Sequence, residues 1–171
     1  LLSDDFAGFS REKIPNLFVA SMTEYRKGFP SHVIFPKQLI TLPLGKVIDS
    51  MGLRQLRISE TEKYPHVTYF FNGGVPSPYS KEDRMIIPSP KVATYNLKPE
   101  MSALEITNVL VDRIKAQMYD FILVNFANAD MVGHTGDLDA GIKAIQVIDK
   151  CVYELVKTFT GYGGAVIITS D

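Results

Sequence analysis

Apolar positions along this chain fall in two rhythms. After Ser102, Leu104, Ile106, Val109, Leu110 and Ile114 recur at helical spacing, the mark of one inward-facing stripe. The same step returns over about 137–159, where Leu138, Ile142, Ile145, Ile148, Val152, Leu155 and Phe159 follow every few residues. A shorter helix is predicted from Leu44 to Met51, with Pro43 near its first turn and Gly52 as its stop. The second rhythm is short and apolar-rich: Leu17-Phe-Val-Ala20, Leu53 to Ile58, Phe121-Ile-Leu-Val124 and Ala165-Val-Ile-Ile-Thr169. Runs of that length suit buried strands.

Punctuation sets the order of these elements. Ser59-Glu-Thr-Glu62 and Ser102-Ala-Leu-Glu105 both have capping-box spacing. Pro65 moves the regular part of the first helix to about 65–71, and Asn72-Gly-Gly74 ends it. Residues 25–40, with Gly28, Pro30 and Pro36, read as an ordered crossing segment. Residues 75–100, with five prolines and both charge signs, read as an extended surface segment. Alternation of helix and strand from residue 44 onward predicts an α/β domain, a mostly parallel sheet with flanking helices.

Composition narrows the function classes. At 171 residues, 46% apolar and 22% charged, the chain has an ordinary globular make-up. A net charge of −1 gives no broad electrostatic case for nucleic acid or a membrane surface. One cysteine, Cys151, excludes a disulfide framework and fits a reducing compartment. With no leader pattern or membrane-length apolar run, a cytoplasmic setting is expected. The chain opens on Leu1 rather than Met and stops just after a buried-strand pattern. A piece of a longer protein is therefore expected.

Candidate chemistry gathers where the strands end. The runs 121–124 and 165–169 flank one helix and read as a βαβ pair, so both would end at one sheet edge. Asp130 and His134 follow the first end in the Gly-punctuated stretch Asn125-Phe-Ala-Asn-Ala-Asp-Met-Val-Gly-His-Thr-Gly136, and Asp171 follows the second. Crowded carboxylates repel unless a cation or a basic side chain neutralises them. Carboxylate plus imidazole suits Mn²⁺, Zn²⁺ or Fe²⁺. Each residue has a plainer reading too. Asp130 can be a helix cap, His134 a solvated loop histidine and Lys63 an exposed lysine. Asp137 and Asp139 suit the start of a helix by its dipole. Taken together, with Asn125, Asn128 and Gly133 nearby, Asp130 and His134 are better read as a site.

Three longer stretches resemble one known family. The run 125–136 resembles the metal loop of the cofactor-independent (2,3-bisphosphoglycerate-independent) phosphoglycerate mutases. So do Ser59-Glu-Thr-Glu-Lys-Tyr-Pro-His-Val-Thr-Tyr-Phe-Phe-Asn-Gly-Gly74, and Pro88-Ser-Pro-Lys-Val-Ala-Thr-Tyr95 with Leu97-Lys-Pro-Glu-Met-Ser102. Thr169-Ser-Asp171 looks like the start of a further family motif. The resemblance implies an alkaline-phosphatase-like domain, present in part, in an enzyme that interconverts 3-phosphoglycerate and 2-phosphoglycerate through a phosphoserine. It implies two Mn²⁺ ions and no organic cofactor. Asp130 and His134 would hold one metal, Asp171 the other, and Lys63 would contact the transferred phosphoryl group; the role of His66 stays open. The family's nucleophilic serine and several ligands lie outside the matched stretches, so the chain alone is expected to be inactive. Residues 1–37 would end a substrate domain and its return linker, and residues 38–171 would be part of the metal-binding domain. A small-molecule substrate and a monomeric intact protein are expected. Rival readings are another phosphatase or phosphopentomutase of that superfamily, or a non-catalytic binding protein that keeps the fold.

Overall fold

The computed structural model describes residues 5–12, 14–38 and 40–170. By internal packing the chain divides into two units, Leu1–Leu39 and Ile40–Asp171. In the first, strands β1 (Ala20–Thr23) and β2 (His32–Phe35) pair in parallel, Ala20 opposite His32. The strand expected at 17–20 thus begins three residues later, and a second strand occupies the segment read as a crossing.

The second unit holds the remaining elements. They are α1 (Leu44–Ser50), β3 (Gln55–Glu60), β4 (Glu82–Ile87), α2 (Ala103–Lys115), β5 (Phe121–Asn125), α3 (Asn128–Gly133) and α4 (Leu138–Gly161). Strands β3, β4 and β5 form a parallel sheet in the order β4-β3-β5. The α/β class with a parallel sheet and flanking helices is therefore as read from the sequence.

Strand β3 is buried along its whole length. Alternation puts Leu56 and Ile58 on one face, where Ile87, Ile106, Leu110, Ile114 and Leu155 close the main core. Its other face carries Gln55 and Arg57. Gln55 Nε2 donates to the Gly45 carbonyl at 2.9 Å, and Arg57 Nη2 donates to Gln55 Oε1 at 2.5 Å. The Arg57 guanidinium lies 4.4 Å from the Phe71 ring centre. Glu82 accepts from Asn72 Nδ2 at 2.8 Å and from Arg84 Nε at 2.6 Å. A second apolar cluster joins Met101, Ala127, Val132, Ala140 and Ala144.

Several expectations are corrected here. Strand β4 lies inside the segment read as extended surface. Its polar start, Glu82 to Arg84, is held by the buried network rather than by an apolar alternation, so no strand pattern shows. Leu104 is 54% exposed, and α2 instead turns Ala103, Ile106, Thr107, Leu110 and Ile114 inward. Helix α4 has the expected length, but its buried residues are Ala140, Ala144, Cys151 and Leu155. That narrow face packs on α2 and α3, leaving Leu138, Ile142 and Ile145 exposed. The run 165–169 forms no strand, so the βαβ pairing with β5 is not made; Ile167 is 91% exposed. An apolar run specifies burial but not a hydrogen-bonding partner. Here the turn at Gly163 (φ +80°) follows α4 without delivering the segment to a strand edge.

Candidate metal and phosphate site

Sheet register brings the site together. Ser59 of β3 lies opposite Asn125 of β5, so both parallel strands release their chains at the same edge. Beyond β3 the chain makes a tight turn, Thr61–Lys63, then a wide helical turn, His66–Phe70, led by Pro65. The expected capping box at Ser59 is not formed, since Ser59 Oγ donates to the Glu60 carbonyl instead. The helical turn itself falls within the expected 65–71. Beyond β5 the chain enters α3, which places a helical turn where a loop was expected. Asp130 sits in its first turn, and His134 N–H donates to the Asp130 carbonyl at 3.0 Å. That i,i+4 spacing stacks both side chains on one helical face.

Three residues singled out from the sequence meet there. His134 Nε2 lies 3.2 Å from Asp130 Oδ1. Lys63 Nζ donates to the other oxygen, Asp130 Oδ2. Asp130 and His134 are 45% and 75% exposed at the side chain, so their polar atoms face solvent. Lys63 holds the Asp130 carboxyl below the usual carboxylate range, and His134 and His66 act in the same direction. His66 stands near enough to bear on Asp130, and its ring packs on Phe70 at 5.3 Å. Asp171 lies outside the described residues. Asp137 is the cap of α4, its Oδ1 accepting from Ala140 N–H at 3.0 Å, and Asp139 lies in the first turn. The plain structural reading of those two acids holds.

The donor set fits one divalent cation in part. One carboxylate oxygen and one imidazole nitrogen at 3.2 Å are spaced as neighbours in a coordination shell. Among the described residues no group of three acid, histidine or cysteine side chains is assembled. Asp130 and His134 could therefore supply two positions of a shell.

Two buried residues beside the site were not singled out as anchors from the sequence. Glu60 is fully buried and accepts from Ser102 N–H at 2.8 Å; Asn128 is fully buried and donates to the Pro99 carbonyl at 2.8 Å. The signal for Glu60 was present, because it continues the inward series Leu56, Ile58. Burial raises its carboxyl above the ordinary value, against the Ser102 N–H and the neighbouring Ser89 and Lys98, which lower it.

With this geometry in view, comparison with known proteins defines the class. A profile of the metalloenzyme superfamily matches residues 7–171, and the chain belongs to that superfamily. The relatives it resembles are more particular. It is 51% identical over 170 residues to 2,3-bisphosphoglycerate-independent phosphoglycerate mutase 2 of Methanosarcina barkeri, covering 99% of this chain and 32% of that protein. It is 50% identical over 172 residues to the 2,3-bisphosphoglycerate-independent phosphoglycerate mutase of Clostridioides difficile, covering 100% of this chain and 34% of that one. A crystal structure of Leishmania mexicana phosphoglycerate mutase at low cobalt concentration superposes with a TM-score of 0.73 at 33% identity. It covers 95% of this chain and 30% of that one. The chain spans about a third of the length of the curated relatives it matches.

Proposed function

We propose that the whole protein to which this chain belongs is a cofactor-independent phosphoglycerate mutase. It would interconvert 3-phosphoglycerate and 2-phosphoglycerate in the cytoplasm as a monomer, without nucleic-acid or membrane partners. The observation that carries this reading is the meeting of Lys63, Asp130 and His134 at the ends of adjacent strands, in a chain about half identical to such enzymes throughout. In this reading residues 1–37 end the substrate domain, and residues 38–171 are part of the metal-binding domain.

Each residue has a physical role. Asp130 and His134 would hold one Mn²⁺, and Asp171 would serve a second. A cation bound there supplies Lewis-acid stabilisation of charge on phosphoryl oxygens. Lys63 is a compact cation on a flexible stem beside that position. Its ammonium would leave Asp130 for a phosphoryl oxygen and offset negative charge as it develops. Phosphoryl transfer asks mainly for placement and charge, which these three side chains provide. The serine that receives the phosphoryl group lies outside the matched stretches, so this chain alone should not turn over.

The test is an assay of the full-length protein with Mn²⁺ and 3-phosphoglycerate. Conversion to 2-phosphoglycerate without free phosphate is expected, and Lys63→Ala should lower kcat/KM at least about a hundredfold. Phosphate release without isomerisation would move the protein to the phosphatases. Turnover by the isolated 171-residue chain would overturn the assignment of the nucleophile.

A further inference from the structure

Lys63 and Asp130 lie in turns that follow separate strands, and the ion pair between them is partly exposed. A second connection, buried at Glu60 and Asn128, joins their two segments through residues 94–102. On the Lys63 side, Ser102 N–H donates to Glu60 Oε1 at 2.8 Å, and Tyr95 Oη donates to Glu62 Oε1 at 2.7 Å. On the Asp130 side, Asn128 Nδ2 donates to the Pro99 carbonyl at 2.8 Å, and Asn96 Nδ2 donates to Asp137 Oδ2 at 3.2 Å. Glu60 and Asn128 are both fully buried. One lies three residues before Lys63, the other two before Asp130.

The connecting segment is itself fixed. Met101 holds a left-handed backbone (φ 45°) that a non-glycine residue keeps only when its surroundings over-determine it. Its buried side chain packs with Ala127 and Val132 beneath α3, and Tyr95 packs against the same cluster. Ser102 Oγ also donates to the Pro88 carbonyl at 2.8 Å. The segment thus grips both halves of the site while contributing no atom to it.

We propose that residues 94–102 are a positioning strap that sets the separation between Lys63 and the Asp130/His134 turn, with Glu60 and Asn128 as its buried anchors. The chemical use of that separation rests on the phosphoryl-transfer reading above; the mechanical coupling of the two segments does not. Placement errors of about an ångström far from the reacting atoms cost large factors in rate. Partners that orient metal ligands without touching the metal matter nearly as much as the ligands.

Amide hydrogen exchange on this chain tests the coupling. Asn128→Ala should speed exchange about tenfold across 61–66, a segment Asn128 does not bond, and leave 56–58 protected. Glu60→Ala should do the reverse, loosening 129–134. Glu60→Gln, which keeps an oxygen for Ser102 N–H, should restore protection. Should Asn128→Ala or Glu60→Ala fail to fold, Tyr95→Phe must show smaller rises in both segments. Loosening confined to the segment that carries the substitution overturns the strap. Titration with MnCl₂ gives a separate readout. Glu60→Ala should weaken Mn²⁺ binding about tenfold although it removes no ligand, and Glu60→Gln should recover it; unchanged affinity in Glu60→Ala also overturns the proposal. Because the functional reading places further ligands outside the matched stretches, this titration is made on the full-length protein. Absence of Mn²⁺ binding by the unsubstituted full-length protein would count against the functional reading, and the exchange pattern would still decide the strap.

Discussion

The two faces of β3 hold the same sheet in opposite ways. Leu56 and Ile58 press against α2 and α4 in a wholly apolar layer. Gln55 and Arg57, one residue out of phase, are equally buried, but hydrogen-bond to each other and to the Gly45 carbonyl, with the guanidinium over the Phe71 and Phe121 rings. The apolar face is non-directional, and any side chain of the right volume serves. The polar face is directional. Burial pulls the Arg57 guanidinium down to about 10, and the nearby charge of Glu82 works against that fall. Such a face stabilises only while every member is present.

Removing one member at a time measures the difference. Glu82→Ala should be the most damaging change, about 3–5 kcal/mol, because it leaves Arg57 as an uncompensated buried charge. It also strips Asn72 and Arg84 of a shared acceptor. Leu56→Ala on the opposite face should cost about 2–5 kcal/mol, depending on how far the layer collapses. Urea unfolding of the two variants ranks the faces. A Glu82→Ala loss under about 1 kcal/mol would mean that Arg57 reaches water and that the polar face is not a sealed network.

A smaller change sharpens the same contrast. A Cβ on Gly45 would lie 2.6 Å from Arg57 Nη2, 2.8 Å from Asn72 Oδ1 and 3.0 Å from Tyr79 Cε2. Helix propensity alone would favour Gly45→Ala in α1 by about 1 kcal/mol. Overpacking costs about 1–3 kcal/mol, and the Arg57 head group is held against Phe71 and by Gln55. The net result should be a loss of about 1 kcal/mol. A gain would show that the network yields.

These faces also explain what the sequence could and could not tell. Helix α2 and strand β5 were legible because their burial follows the standard period and a dense apolar run. Strand β4 was hidden because Glu82 is buried as a polar partner of the half-buried Arg84, which a hydropathy pattern reads as surface. The buried face of α4 was misjudged because hydropathy weights large side chains, whereas Ala140, Ala144 and Cys151 let neighbouring helices approach. In the site, Asp130 and His134 were legible as an acid and an imidazole in a Gly-punctuated stretch after a strand, but the helical turn that stacks them was not. Lys63 was legible only through family resemblance, since its partner lies 67 residues away. Glu60 and Asn128 were missed as anchors because their partners are backbone groups of a segment with no periodic signal.

Glu60 gives the subtlest test, because it sits on the apolar face as a polar exception. Its Oε1 accepts from Ser102 N–H, and Ser89 lies beside the carboxyl. Burial raises its carboxyl above the ordinary 4.5. The native state therefore holds this proton more tightly than the unfolded chain does. By linkage, stability from this group is full below the ordinary value. It is lost as pH rises through the window from 4.5 to the raised native value, and is flat beyond. Paired acids give the opposite slope. In Glu60→Gln the amide oxygen keeps the Ser102 bond and the amide N–H₂ offers Ser89 a donor. The variant should match the parent chain near pH 4 and exceed it at pH 7 by on the order of 1 kcal/mol. Urea midpoints taken from pH 4 to 7 check this. A difference that does not grow with pH would mean that Glu60 ionises without cost, and that the apolar face of β3 tolerates a charge at its end.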